Sequence, residues 1–188
     1  MPVRRIPLMS GEYYHLYNRG NNHGDVFLER DNYLYFLKLW QKYLPASEVE
    51  VISYCLMPNH YHFLLYLKTD EFSKRIQPFL LAYTNAFNRK YNRIGALFQG
   101  RFKAKHISKN EYLLHLSRYI HLNPVRACIA SSPEEWEFFS YQKFIGLRKG
   151  RLPNPDSMMS HFESSKDYKE FVEEDISVPE NLNSLLFD

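Results

Sequence analysis

The chain has 188 residues, 45% of them hydrophobic and 24% charged, a balance typical of a globular domain with a short extension. No apolar run approaches the length of a membrane-spanning helix, and the start of the sequence lacks the apolar core of a secretion signal. Two cysteines, Cys55 and Cys128, are too few for a disulfide framework. We therefore expect a cytoplasmic protein with reduced thiols and no membrane partner.

Positive charge is concentrated in the first two thirds of the chain. Residues 1–128 contain 18 of the 24 Lys and Arg but only 9 of the 21 Asp and Glu, so residues 129–188 are acidic. A basic domain attracts polyanions. The 15 Tyr and 14 Phe are also interleaved with basic residues. That mixture suits single-stranded nucleic acid, whose bases stack while its phosphates pair with cations, although most of these rings belong in a core.

The hydrophobic pattern of the first part of the chain predicts a strand, a helix and then two more strands. Residues 13–18 alternate between apolar and polar positions and end in a Gly-Asn turn, which is typical of a strand. Residues 31–44 repeat apolar side chains at helical spacing. Residues 49–57 alternate again, and a Pro-Asn turn predicts a hairpin into a strand that begins at His60.

The pattern then predicts a second helix, a fourth strand and a third helix. Residues 72–93 have helical spacing, and Pro78 indicates a kink or a helix start. Residues 97–106 are typical of a strand with cations at alternate positions. Residues 109–123 open on a capping-box pattern and are predicted to form a helix that Pro124 ends.

This order of elements predicts an α+β fold, the ferredoxin-like or RRM-like split βαβ antiparallel sheet. In that plan the first and third strands lie side by side at the centre, so His15 should lie near His60 and His62. One sheet face stays free of the first two helices. We expect the third helix to bring Tyr119 and Asn123 over that face.

The chain is predicted to divide into a domain of residues 1–130 and an acidic C-terminal extension of residues 131–188. The extension is expected to be partly helical, with a helix over 157–174, and not to be an independent domain. Its last dozen residues have the composition of a poorly ordered terminus.

His60 and His62 lie two residues apart in the strand that begins at His60, so their side chains should project to the same face of the sheet. Tyr61 and Phe63 should then point the other way, into a core. Paired imidazoles make half of a divalent-metal site. On their own they are equally consistent with two surface histidines, because two ligands do not define a site.

Several stretches resemble one known family. The stretch from Pro58 to His62 resembles the His-hydrophobic-His (HUH) signature of single-stranded-DNA endonucleases. The stretch from Tyr119 to Ala127 resembles the tyrosine motif of the REP-associated tyrosine transposases, which are related to single-tyrosine insertion-sequence transposases. Residues 15–20 and 98–102 are also similar to that family. The HUH signature alone is weak, but the motifs together, in this order, are specific.

The resemblance implies roles for particular side chains. His60, His62 and Asn123 would bind Mg²⁺ or Mn²⁺. Tyr119 would attack the scissile phosphate of single-stranded DNA, forming a covalent 5′-phosphotyrosine and releasing a 3′-hydroxyl. Tyr112 lies on the same helical stripe and is the fallback nucleophile; Tyr119 is favoured because only it has an Asn four residues later.

The resemblance also implies the partner, which is single-stranded DNA that folds into hairpins, such as REP-like palindromes. A monomer is favoured over a dimer, acting in the cytoplasm at the nucleoid. The candidate DNA contacts, chosen by charge, position and motif, are Asn18, Arg19, Arg101, Lys103, Lys105, Arg118 and Arg126. Each of the cations could equally be a solvated surface charge. His121 is predicted to lie on the surface, because helical geometry places it about 160° from Asn123.

Three other functions stay open at this point. A hairpin-binding regulator could keep this fold and lack cleavage, and it would form no covalent adduct with DNA. A ferredoxin-like RNA-binding module would need exposed aromatic side chains on the central strands. A metal-dependent phosphodiesterase would use water as the nucleophile, so cleavage would survive Tyr119→Phe.

Overall fold

The protein is described by a computed structural model that covers residues 7–108, 110–150 and 152–174, with the backbone alone at 110 and 111. The predicted disorder of the last dozen residues lies outside these ranges. The strands are β1 (Tyr13–Arg19), β2 (Val49–Met57), β3 (His60–Leu67) and β4 (Lys103–Ile107). The helices are α1 (Arg30–Tyr43), α2 (Phe72–Lys90), α3 (Asn110–Arg126), α4 (Tyr141–Phe144), α5 (Asp156–Met159) and α6 (Ser165–Glu173). Within the covered ranges, none of the helices is long and apolar enough to cross a bilayer.

The four strands form one antiparallel sheet in the order β2-β3-β1-β4. This order is that of the ferredoxin-like plan, so the predicted fold class is confirmed. The two central strands are β1 and β3, and their register pairs Tyr17 with His62 and Arg19 with His60. Opposite residues of an antiparallel pair project to the same side of the sheet. The side chains of Tyr17, Arg19, His60 and His62 therefore share one sheet face.

The side chains of β3 alternate between two cores. Tyr61 and Phe63 have no exposed surface and face α1 and α2, where the Trp40 ring stacks on Phe63 at a centroid distance of 4.0 Å. The prediction that Tyr61 points into a core is confirmed. His60 and His62 alternate with Tyr61 and Phe63 along β3, so they face the side of the sheet that α3 covers. Burial of large aromatic rings on the first side stabilises the sheet, and it fixes the strand register that places both histidines.

The second core lies between the sheet and α3. Its members from the sheet and α3 include Leu64 and Ile120, and the C-terminal extension adds Phe139, Tyr168 and Val172, all of them at 0% exposure. The extension therefore packs on α3 and on the sheet through a fully buried apolar surface.

Two predicted boundaries are wrong. The predicted strand over 97–106 begins only at Lys103; Leu97 and Phe98 are buried in the first core, and this segment meets the end of β1 only through an isolated bridge between Phe98 and Gly20. The third helix does not stop at Pro124 but continues to Arg126. A proline this close to a helix end removes a single hydrogen bond.

Two further differences concern α2 and the extension. Pro78 lies inside α2, which begins at Phe72, so this proline does not mark the helix start. The single helix predicted over 157–174 is instead two helices, α5 and α6. The Ser164 side chain accepts a hydrogen bond from the Asp167 backbone N–H at 3.2 Å and caps the start of α6.

Candidate active site

The sheet and α3 meet at a direct contact between His60 and Asn123. Nε2 of His60 lies 3.1 Å from Oδ1 of Asn123, and Nδ1 of the same ring lies 2.6 Å from Oδ1 of Asn59. The rings of His60 and His62 are 5.0 Å apart, centroid to centroid. Three of the four predicted site residues therefore converge at one end of the sheet.

A third histidine, His15 of β1, supports this group from within the sheet. Its Nε2 lies 2.9 Å from Nδ1 of His62, and both side chains have no exposed surface. The fold plan predicted that His15 would be nearby but gave it no role. In metal sites, an acceptor that holds the second ring nitrogen of a histidine fixes which nitrogen faces the metal; a neutral His15 could act as such an acceptor.

Burial keeps the two strand histidines uncharged. Desolvation lowers the pKa of His60 to about 4; the contact with Asn123 opposes this shift and the nearby Arg19 cation adds to it. Desolvation, followed by the proximity of His15 and His60, places the pKa of His62 well below its usual value. Neutral imidazole is the form that binds metal ions.

Tyr119 lies on α3 over the same histidines. Its ring centroid is 5.6 Å from that of His62 and 6.5 Å from that of His15, both at steep interplanar angles. The Arg126 guanidinium lies 5.6 Å from the centre of the Tyr119 ring. Tyr112 lies seven residues earlier on the same helix, about 10 Å along its axis. The structure therefore brings Tyr119 to the histidines, and Tyr112 lies about two helical turns from it.

The donor atoms fit a divalent cation such as Mg²⁺ or Mn²⁺. His60 and His62 supply neutral imidazoles, and the amide oxygen of Asn123 already lies within hydrogen-bond distance of His60 Nε2. Such a mixed nitrogen and oxygen set leaves positions for phosphate oxygens. Within the described part of the chain, no cluster of three or more His, Cys, Asp or Glu side chains suits a metal ion. An amide oxygen would therefore have to complete this site.

Four of the predicted DNA contacts lie around the site or along the adjoining edge strand. Lys103 and Lys105 of β4 lie opposite Tyr17 and His15, on the site face of the sheet. Their ammonium groups are 5.7 Å and 5.3 Å from the centre of the Tyr17 ring. A cleft of about 270 Å³ continues this surface, and its lining includes Arg19 and Arg101. This surface combines cations with an aromatic ring beside the histidines.

Two predicted DNA contacts are nearly buried and are bonded within the protein, Asn18 in the lining of this cleft and Arg118 on α3. Asn18 is 5% exposed; its Nδ2 donates to the Gly100 carbonyl at 3.1 Å, and its Oδ1 accepts from the Arg19 backbone N–H at 2.9 Å. Arg118 is also 5% exposed, and its Nε donates to the Val172 carbonyl of α6 at 3.1 Å. Asn18 shapes the strand end beside the cleft, whereas Arg118 joins α3 to the extension.

The surface position predicted for His121 is wrong. This side chain has 0% exposure and contacts Tyr168 and Ser140 of the extension. The helical angle correctly separated His121 from Asn123. It could not show that a segment far along the chain covers the opposite side of α3.

Comparison with known proteins gives the family. The family model described as "Transposase IS200 like" matches residues 9–123, which include every residue of the group formed by His15, His60, His62, Tyr119 and Asn123. The chain belongs to the IS200-like transposase family. The match ends at Asn123, so the extension that covers α3 lies beyond it. No curated protein matches this transposase.

Two solved structures resemble this IS200-like transposase. A REP-associated tyrosine transposase, solved bound to a REP hairpin, is similar with a TM-score of 0.59 and 20% identity over 82% of this chain and 94% of that one. A putative transposase from Deinococcus radiodurans has a TM-score of 0.43 and 13% identity over 63% of this chain and 95% of that one. The first likeness shows a shared fold.

Proposed function

We propose that this transposase cleaves and rejoins single-stranded DNA at hairpins, with Tyr119 as the nucleophile and a divalent cation held by His60, His62 and Asn123. The observation that carries the proposal is the convergence of these four side chains, together with His15, at one end of the sheet. They come from two strands and a helix that are far apart in the sequence.

Attack by Tyr119 exchanges one phosphate ester for another. The phenolic oxygen forms a bond to phosphorus, the bond from phosphorus to the 3′ oxygen breaks, the phenolic proton is lost, and the 3′ oxygen gains a proton. The product is a 5′-phosphotyrosine and a free 3′-hydroxyl. Attack by another 3′-hydroxyl reverses the exchange and joins strands. No nucleotide cofactor is needed, because each step conserves a phosphodiester bond.

The surroundings of Tyr119 favour its role as nucleophile. The Arg126 guanidinium lies 5.6 Å from the centre of the Tyr119 ring, and this positive charge would favour loss of the phenolic proton and approach of a phosphate. His15 holds the His62 ring, and Asn59 holds the His60 ring. A bound divalent cation would polarise the scissile phosphate and neutralise charge that develops during attack.

Hairpin DNA is the proposed partner because of the surface beside the site and the fold likeness. The transposase of the similar structure was solved with a REP hairpin. In this chain, Lys103, Lys105 and Arg101 border Tyr17 next to the histidines, a mixture suited to unpaired nucleotides. We further propose that the protein acts as a monomer, in which one chain supplies both the histidines and the tyrosine. We place its action at the nucleoid, in the cytoplasm.

A denaturing gel tests the proposal. Labelled single-stranded oligonucleotides from the palindromes that flank the gene are mixed with the protein and Mn²⁺ or Mg²⁺. A slow-migrating protein–DNA adduct is expected. It should disappear in Tyr119→Phe and His60→Ala and persist in Tyr112→Phe, the matched control on the same helix.

Other results would contradict parts of the proposal. Cleavage without an adduct would assign the attack to water. Tight hairpin binding with neither cleavage nor adduct, in the presence of either cation, would instead support a hairpin-binding regulator.

A further inference from the structure

A buried chain of hydrogen bonds runs across α3 on the side away from Asn123. Nδ1 of His121 lies 2.7 Å from the Tyr168 hydroxyl, and Nε2 lies 2.7 Å from Oγ of Ser140. The Tyr168 hydroxyl also lies 2.8 Å from Oγ of Ser117, one helical turn before His121. All four side chains have 0% exposure. Buried polar groups of this kind are costly unless each finds a partner.

One direction of hydrogen-bond donation along this chain satisfies all of these contacts. The Ser140 hydroxyl donates to the Tyr54 carbonyl at 3.2 Å and accepts from the Tyr54 backbone N–H at 2.8 Å. In this arrangement it accepts from Nε2–H of His121, because its single proton is directed to the Tyr54 carbonyl. Nδ1 of His121 is left to accept from the Tyr168 hydroxyl, which in turn accepts from Ser117. The extension is thus joined to α3 and to β2 by directional bonds as well as by apolar contact.

The same helix carries the reacting groups on its other side. Tyr119 and Asn123 each lie two residues from His121, which at 3.6 residues per turn places them about 160° away. A rotation of α3 about its axis that moved Asn123 away from His60 would also break both bonds to His121. Apolar contacts alone would resist this rotation less than hydrogen bonds do, because hydrophobic attraction is not directional. Arg118, bonded to the Val172 carbonyl, adds a second fixed point on α3, five residues before Asn123.

We propose that His121, Tyr168 and Ser140 are positioning residues that fix the rotation of α3 and so hold Tyr119 and Asn123 over the strand histidines. The extension, which lies beyond the family match, acts as a clamp on the catalytic helix. This inference rests on the proposed function for its effect on cleavage. Its effect on the position of Tyr119 can be measured without DNA.

Two single-atom changes in the extension form a matched pair. Tyr168→Phe removes the hydroxyl that contacts His121. Tyr141→Phe removes a hydroxyl from a neighbouring ring of the same core, but that hydroxyl donates to Glu173 at 2.8 Å and not to α3. Both variants keep their ring packing. Tyr168→Phe should lose more thermal stability than Tyr141→Phe, because it leaves the buried Nδ1 of His121 and Oγ of Ser117 without this partner.

The kinetic test separates binding from chemistry. At a temperature well below both melting transitions, Tyr168→Phe should slow single-turnover adduct formation by about tenfold or more, because a misplaced reacting group loses rate. Its affinity for the oligonucleotide should stay within about twofold of wild type. Tyr141→Phe should keep the wild-type rate. Ser140→Ala, which cuts the chain at its other end, should behave like Tyr168→Phe.

A spectroscopic test needs no DNA. With 3-fluorotyrosine at position 119, the ¹⁹F resonance should shift or broaden in Tyr168→Phe and stay unchanged in Tyr141→Phe. Identical resonances in the two variants, or equal adduct rates, would overturn the clamp. A wild-type protein that forms no adduct would instead overturn the proposed function and leave the ¹⁹F comparison to decide the position of α3.

Discussion

His15 and His62 lie side by side at the centre of the sheet, joined by a 2.9 Å contact between Nε2 of the first and Nδ1 of the second. If His62 binds a cation through Nε2, its Nδ1–H donates to His15. Second partners of this kind fix the ring and raise the basicity of the ligating nitrogen.

We therefore expect His15→Leu to weaken Mn²⁺ binding by about 10- to 100-fold, as measured by electron paramagnetic resonance of free Mn²⁺. His15→Gln, whose side-chain oxygen can still accept from Nδ1, should recover part of that affinity. Equal Mn²⁺ affinities in wild type and His15→Leu would show that His15 only fills space.

Asn123 should contribute through its oxygen. Asn123→Leu is expected to lower the adduct-forming rate by at least about 100-fold, because loss of a metal ligand removes charge stabilisation worth several kcal/mol. Asn123→Asp keeps an oxygen in place and should retain much more activity. The comparison is made at saturating Mn²⁺ on the same oligonucleotide. If the two variants are equally impaired, the amide has a role other than ligation.

The cations on β4 should contribute to the salt dependence of DNA binding. Lys103→Met and Lys105→Met should each reduce the slope of log affinity against log salt by about 0.7 for every DNA phosphate that the removed ammonium group had neutralised. Arg118→Met is the control, because Arg118 is buried against α6. It should lower the melting temperature and leave the slope unchanged. An unchanged slope in both lysine variants would place the DNA on another surface.

The two thiols should differ in reactivity. Cys128 is exposed, whereas Cys55 is fully buried in the sheet, and this burial places the pKa of the Cys55 thiol well above its usual value. A colorimetric thiol reagent at neutral pH should modify one cysteine quickly and the second only as the protein unfolds. Cys128→Ser should remove the fast phase. Rapid modification of Cys55 would indicate local opening of β2.

Much of the fold could be predicted because its signals are local. The alternation of side chains along β3 assigns Tyr61 to the core and both histidines to the opposite face. The order of elements then places β1 beside β3. The family motifs add Tyr119 and Asn123, which the structure brings to His60 and His62.

The errors concern contacts made by distant segments. The helical angle predicts an exposed His121 because it relates this residue only to its own helix, whereas its partner Tyr168 lies in the extension. The sequence likewise gives no sign of the bond between Arg118 and the remote Val172 carbonyl. The loop before β4 has the pattern of a strand because Leu97 and Phe98 fit that pattern, although they anchor in the core.

The spread of the site along the chain has a consequence during synthesis. His15 leaves the ribosome early, Asn123 much later, and Tyr168 of the clamp later still. A chain that ends before Asn123 therefore cannot assemble the complete group of histidines, tyrosine and asparagine, and one that ends before Tyr168 lacks the proposed contact to His121. The group can form only after the segments from β1 through α3 have left the ribosome.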